Sequence, residues 1–346
     1  MRAAREETHP HRRLNAQGDL GRPQNPPEEV RHAVATRQVA EQREGDAEGV
    51  PRERKDRKHE RGVPARKDHD GITPAGFARP PSTPSEAPTM SDETKRTVRT
   101  QFGRQASWYA ASAVHRQSAS LAVLLRLSAP FPEARALDIA TGTGFTGLAL
   151  APQCRQVVGV DLTAGMVREA RRLAANRGVP NFLLCLGDAE ALPFPDRIFD
   201  IVTCRHAAHH FPDFPRALAE MGRVAKIGGR VVLDDTCAPE NPALARLMNE
   251  WELRRDPSHV ANRPPSELVA LLDQSGLRVD ATVMTEVPLE FTDWVRRSGV
   301  AAAEAAALRA SLLGAATDAR SAFRIRLEGD TLRFAWDEIV LLGVKR

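Results

Sequence analysis

Residues 136–161, ALDIATGTGFTGLALAPQCRQVVGVD, pass from an apolar run through a glycine-rich turn into an apolar helical stretch, then to a second apolar run ending in a carboxylate. A strand–loop–helix–strand unit of this kind holds a nucleotide-like ligand. Gly142 and Gly144 lack a Cβ, so the backbone can turn sharply there and approach a ligand closely. Residues 145–150 continue as a helix whose first N–H groups have no partner within the helix and face the same ligand. Asp161, roughly 20 residues past the loop, stands where a carboxylate accepts hydrogen bonds from ribose hydroxyls. Gly142, Gly144 and Gly147 also satisfy the G-x-G-x-x-G spacing, which alone does not separate NAD from another adenosine cofactor.

The alternation continues beyond this unit. Apolar runs at 181–187, 198–204, 229–234, 277–287 and 338–344 read as strands, seven in all with 136–140 and 156–161, and 163–176 and 215–224 read as helices. Near-continuous apolar strands separated by helices predict an α/β, doubly wound, mostly parallel sheet covered on both faces. Ligands of such sheets lie beyond the carboxyl ends of the strands, where strand order reverses. The candidates are therefore Asp138, Gly142 and Gly144 after the first strand, Asp161 after the second, and Gly187, Asp188 and Ala189 after the third. Arg205, His206, His209 and His210 follow the fourth, and Asp234 and Asp235 the fifth. A single acid at a strand end is often only a helix cap. Acids after three successive strands are harder to assign that way.

Two segments flank this rim. Residues 97–127 read as one or two helices with Phe102, Trp108, Tyr109, Val114, Leu121, Leu124 and Leu125 on an apolar face. Trp108 and Tyr109 fit either a pocket cap or packing on the sheet. Between the fifth strand and 277–287, an excursion over about 236–275 is expected to lie over the pocket mouth as a lid, with helices at 241–255 and 265–275. Within it, Arg255 and His259 are lid candidates or parts of a solvated surface turn.

Composition divides the chain. Residues 1–89 hold few large aliphatics, many prolines and charge runs such as PRERKDRKHERG, and cannot bury enough apolar surface to offset ordering entropy. This extension is expected to be disordered, or to lie upstream of a start at Met90, with one globular domain over 90–346. Its Lys and Arg alternate with nearly as many acids, and the whole chain carries a net charge of only +4, so no nucleic-acid partner is expected. Four widely spaced cysteines without a CxxC pair suggest neither a metal site nor disulfides. No apolar run reaches the ~18–20 residues of a membrane span, and no signal peptide is evident, so a cytoplasmic location is expected.

The segments ALDIATGTG (136–144), VVGVDLTAGMVREAR (157–171), LCLGDAEALPFPDRIFDIVTCRHAAHHFPD (184–213) and RVAKIGGRVVLDD (223–235), in this order, resemble the class I S-adenosylmethionine-dependent methyltransferases. The closer likeness is to the small-molecule branch typified by ubiquinone/menaquinone-biosynthesis methyltransferases. The resemblance implies a Rossmann-like sheet with an antiparallel C-terminal strand. It implies that Gly142 and Gly144 pass close to the methionine part of the cofactor, with Asp138 holding that end through the loop or a water. Asp161 would bind both ribose hydroxyls, and Asp188 with the Ala189 backbone would read the adenine edge. Apart from the resemblance, Arg205 can pair either with a carboxylate of cofactor or acceptor or with a neighbouring acid. Ala140 departs from the pattern, since many members have the first glycine there; the change adds a methyl group. A sulfonium cation suits an acid-lined rim, whereas Asp138 would repel the phosphates of a dinucleotide.

On the acceptor side, RHAAHH (205–210) occupies the place where many nucleic-acid amino-methyltransferases carry an Asn/Asp-Pro-Pro-aromatic motif. Its absence argues against adenine or cytosine amino groups as the acceptor, and a small-molecule acceptor methylated by preference at carbon or oxygen is expected. His206 and His209 are the candidate bases for a phenol or enol, since an imidazole titrates near neutrality; capping and loop contacts are the alternative role. A non-catalytic cofactor-binding module, a protein or RNA methyltransferase and an NAD-dependent oxidoreductase are the competing readings.

Overall fold

The computed structural model describes residues 90–111 and 118–346; the extension 1–89 and Val114 of the expected apolar face lie outside them. Helices α1 (Met90–Ala111) and α2 (Ala119–Ser128) precede β1 (Arg135–Ile139), α3 (Phe145–Leu150), β2 (Gln156–Asp161), α4 (Ala164–Asn176), β3 (Phe182–Leu186) and β4 (Phe199–Arg205). Then follow α5 (Phe214–Val224), β5 (Ala225–Thr236), α6 (Pro242–Arg255), α7 (Pro265–Gln274) and β6 (Leu277–Glu290). The chain closes with α8 (Phe291–Ser298), α9 (Ala302–Leu313), α10 (Thr317–Ala322), β7 (Arg326–Glu328) and β8 (Thr331–Lys345).

The strands order as β3-β2-β1-β4-β5-β8-β6, with β7 paired to β8. β1 to β5 pair in parallel, and β8 runs antiparallel to both β5 and β6. This is a Rossmann-like, mostly parallel sheet with an antiparallel C-terminal strand. Order reverses between β1 and β4, so the ligand crevice is expected past those two strand ends. The sheet has eight strands where the apolar runs counted seven. The additional one, β7, is a three-residue strand of exposed residues, too short and too polar to register as an apolar run.

Successive strand residues point to opposite faces, and both faces are covered. Leu137, Ile139, Val158 and Val202 join Phe214, Leu218 and Met221 of α5 and Leu268 and Leu272 of α7 in one core. Ala136, Val157 and Ile201 join Leu148 of α3, Val167 and Ala170 of α4 and Phe182 on the other face.

A further core stands apart from the sheet layers. β8 pairs with β5 only from Val344 to Glu338, while its pairing with β6 continues to Arg333. The overhang carries Trp336, Phe334 and Leu289 into a cluster with Trp251 of α6, Trp294 of α8, Leu308 and Leu312 of α9 and Phe323. This roof was not legible as such. The expected excursion at 236–275 divides between two places. α6 belongs to the roof, whereas α7 buries Leu268 and Leu272 in the sheet core as an ordinary covering helix. The other roof helices, over 291–322, were not read as elements, and the strand expected at 338–344 begins at Thr331.

Candidate active site

The crevice past β1 and β4 opens into a cavity that extends beneath the roof. Asp138, Gly142, Asp161, Asp188, Ala189, Arg205, His206 and His209 all border it. Gly144 does not touch the cavity; it shapes the turn beside it as the N-terminal flank of α3.

The glycine loop is held by carboxylates. Asp138, buried at the end of β1, accepts from the Thr141 hydroxyl (2.6 Å), the Gly147 amide (3.2 Å) and the Thr203 hydroxyl (2.8 Å). Burial pushes its carboxyl up, and these donors and the Arg205 charge pull back. Asp161 accepts from the amides of Gly142 and Thr163, both at 2.8 Å, and burial lifts it to about 6 against those two bonds. Gly142 (φ +56°) and Gly144 (φ +88°) take the left-handed conformation open to glycine. Nothing lies within 4 Å of where a Cβ on Gly142 would sit, whereas one on Gly144 or Gly147 would meet the Phe182 ring at 2.8 or 2.4 Å. Gly142 thus leaves space, and the other two permit α3 to lie against β3. Ala140 also has positive φ, +50°, so the departure from glycine carries backbone strain as well as a methyl group.

At the far end of the rim, Asp188 accepts from the Glu190 amide (2.9 Å) and pairs with Lys95 of α1 (2.8 Å), which also bonds Glu190. Lys95 has no local sequence signal, because its partners lie on the other side of the sheet's rim. Arg205 spans from the Thr146 hydroxyl (3.1 Å) to that of Ser118 (3.2 Å), tying β4 to α3 and α2.

The two candidate bases are each backed by a carboxylate. Nδ1 of His209 lies 2.6 Å from Asp235 Oδ1, and Asp235 Oδ2 accepts from the His209 amide at 3.0 Å. Burial raises a carboxyl, yet the His209 charge and hydrogen bond hold Asp235 down at about 2. Burial disfavours the His209 cation, but Asp235 overrides it and the imidazole is raised. An ionised carboxylate can only accept, so Nδ1 donates and Nε2 is the basic atom.

His206, at φ +52° past β4, places Nε2 2.8 Å from Glu338 Oε1 of β8 and 4.0 Å from Asp234 Oδ2 of β5. Burial raises Glu338, but the nearby His206 and the Thr285 hydrogen bond bring it below the ordinary range. Asp234 is lifted to about 7 by burial, with His206 opposing and Glu338 assisting. His206, Asp234 and Glu338 have the residue types and mutual spacing of a metal centre, although the sequence suggested none. Nε2 and Oε1, 2.8 Å apart, stand at ion-pair distance when the imidazole is protonated. Asp235 and Glu338 were not given roles beforehand. The one signal for Glu338 was an acid beginning an apolar run.

Among the described residues, His210 and His259 make structural contacts. His210 donates from Nδ1 to the Ser258 carbonyl (3.0 Å) under the edge of Phe102, and burial drops it to about 3. His259 donates to Asn249 Oδ1 (2.7 Å) and is likewise pushed to about 3 by burial. His259 is buried rather than part of a solvated turn, and Arg255 borders the cavity. Of the aromatic pair on α1, Tyr109 reaches the cavity and Trp108 does not; Trp108 lies under the Arg296 guanidinium, 5.7 Å away.

A switch-point crevice walled by a carboxylate-braced glycine loop, with further acids at the next two strand ends, fits a cationic adenosine cofactor. The fold and site define the class: an S-adenosylmethionine-dependent methyltransferase. The family model described as "Methyltransferase domain" matches residues 137–233. The uncharacterized methyltransferase YcgJ of Bacillus subtilis is 36% identical over 252 residues, 72% of this chain and 100% of that protein. The crystal structure of YcgJ superposes with a TM-score of 0.64 over 66% of this chain and 98% of that one, at 38% identity. A demethylmenaquinone methyltransferase of a Mycobacterium species (strain KMS) is 34% identical over 167 residues, 45% of this chain and 70% of that protein. The chain belongs to this methyltransferase family and is an enzyme that uses S-adenosylmethionine.

Proposed function

We propose that the protein methylates a small-molecule acceptor at carbon or oxygen, with His209, and His206 beside it, accepting the acceptor's proton. The observation that carries this reading is the pair of carboxylate-backed imidazoles on the wall of a cavity roofed by Trp294, Trp336, Val287 and Leu289. S-adenosylmethionine supplies a methyl group already activated by its sulfonium, so the protein's work is to position an acceptor, exclude water and remove a proton. Positioning alone supplies up to roughly 7–11 kcal/mol, and a placed base contributes about 10²–10⁴-fold.

In this reading Gly142 lets the cofactor's methionine end come close to the loop, Gly144 shapes that turn, and Asp138 braces it through Thr141. Asp161 takes the ribose hydroxyls, Asp188 with the Ala189 amide reads the adenine, and Arg205 faces a carboxylate. A relative named for demethylmenaquinone supports a small acceptor, as does the position of the cavity beneath the aromatic roof. The enzyme works in the cytoplasm; among the described residues no helix is long and apolar enough to cross a membrane.

Calorimetry with S-adenosylhomocysteine tests the cofactor site: wild type should bind, and Asp161→Ala should lose at least tenfold in affinity. An unchanged affinity in the variant would remove the ribose assignment. Screening a metabolite extract for cofactor-dependent gains of one methyl group tests the acceptor class, and methylation confined to macromolecules would overturn it.

A further inference from the structure

The roof contributes two cations that proton removal does not use. Arg255 of α6 and Arg297 of α8 both border the cavity. Each is anchored through Nε, the nitrogen nearest its chain. Arg255 Nε lies 3.0 Å from Glu252 Oε2, and Arg297 Nε lies 3.1 Å from Asp293 Oδ2 and 3.4 Å from the Asp293 carbonyl. That arrangement leaves the Nη groups of Arg297, and Nη1 of Arg255 beside the Nη2 that faces Asp256, as the parts of each fork able to meet a ligand.

Carboxylates partner both cations, and those beside Arg255 outweigh its burial so that its guanidinium is held charged. Glu252 borders the cavity, but its Oε1 accepts from the indole nitrogens of Trp336 (2.6 Å) and Trp294 (3.3 Å) while Oε2 faces Arg255. Asp256 turns Oδ2 toward Arg255 Nη2 at 3.7 Å, while its Oδ1 accepts from the Ser258 amide (2.9 Å) and hydroxyl (2.6 Å). Asp293 is not among the cavity-lining residues. The two guanidiniums also oppose each other: burial and then the nearby Arg255 charge weaken the Arg297 cation, with Asp293 working the other way.

Each cation is held in place by a carboxylate at its Nε, and both guanidiniums border one chamber. A guanidinium fork matches a carboxylate or phosphate bidentately. Around them, Val287, Leu289, Trp294 and Trp336 offer flat apolar walls. Arg255 and Glu252 both act on the charge of His209, which sets the base close to these groups.

We infer that Arg255 and Arg297 anchor the acceptor, and that the acceptor is an organic acid: an apolar, ring-sized body whose carboxylate or phosphate meets both guanidiniums while its nucleophilic atom faces His209. The inference rests on the small-acceptor reading above. The test is calorimetry on protein saturated with S-adenosylhomocysteine, titrated with benzoate and phenyl phosphate and with their uncharged counterparts benzamide and benzyl alcohol. At least one anion should bind tenfold or more tightly than its uncharged counterpart, the two arms separating carboxylate from phosphate. Arg297→Gln should reduce that affinity at least tenfold while leaving S-adenosylhomocysteine binding unchanged. Equal binding of anions and neutral probes, no binding of either anion, or an anion preference undiminished in Arg297→Gln would overturn the anchor. The wild-type comparison decides the matter even if the variant fails to fold. Loss of S-adenosylhomocysteine binding in wild type would instead sink the cofactor assignment.

Discussion

His209 and Asp235 gain from each other what burial would take from each alone. Burial is the largest influence on both, yet the pair ends with the imidazole raised and Asp235 at about 2. The linkage has two sides. His209 contributes stability that is present below its unfolded value of 6.5 and is lost as pH rises through its higher folded value. Asp235 contributes stability that is present above its unfolded value of 3.8 and is lost as pH falls through about 2. The pair therefore supports folding best between those unfolded values, whereas base catalysis needs neutral His209 and so a higher pH. In Asp235→Asn the raising influence is gone and burial remains, so the His209 pKa should fall below the wild-type value. Histidine-labelled NMR titration reads this directly; an unmoved His209 resonance would contradict the assignment. At Ala140, relief of a left-handed alanine is worth roughly 1–2 kcal/mol, less the extra chain entropy of glycine. Ala140→Gly should therefore raise stability by up to about 1 kcal/mol in urea unfolding.

The loop-plus-helix element shows how three glycines of one fingerprint divide their work. Gly142 keeps a space open, Gly144 combines positive φ with contact to Phe182, and Gly147 is needed only because the ring of Phe182 lies across α3. Gly147→Ala should cost about 1–3 kcal/mol by overpacking, and Phe182→Leu should recover part of the loss in the double variant. Full additivity of the two single-variant losses would show that the ring is not the obstacle. Apart from β7, elements of the sheet were legible because each carries its own signal: strands of apolar runs and helices of mixed pattern between them. The roof helices were not. α9 is nearly all alanine and leucine, with no clear polar face, and α8 presents its buried Trp294, beside its own Phe291, to Glu252, Phe334 and Trp336, far along the chain.

At the scale of the whole molecule, the nucleotide-type sheet supplies the cofactor rim and the overhang of β6 and β8 supplies the chamber. Trp336 joins them, since it borders the cavity, stacks 6.2 Å from Trp251 and donates to Glu252. Trp336→Ala should destabilise the protein by about 3–5 kcal/mol, because it opens a cavity and removes a donor from a buried carboxylate. Thermal or urea unfolding measures the loss; a change under 1 kcal/mol would mean the roof does not depend on this residue.

The sequence by itself determined the sheet class, the glycine turn and the acids at the strand ends. Those features depend on contacts within one strand–loop–helix unit, where spacing along the chain is spacing in space. Only the tertiary structure decided which carboxylate serves which base: Glu338 reaches His206 from the last strand, and Asp235 reaches His209 from the next one. It also decided that Lys95 holds Asp188 and that Arg255 and Arg297 share a chamber. These pairings join residues far apart along the chain, and chain closure over such distances leaves no local periodicity from which they can be read.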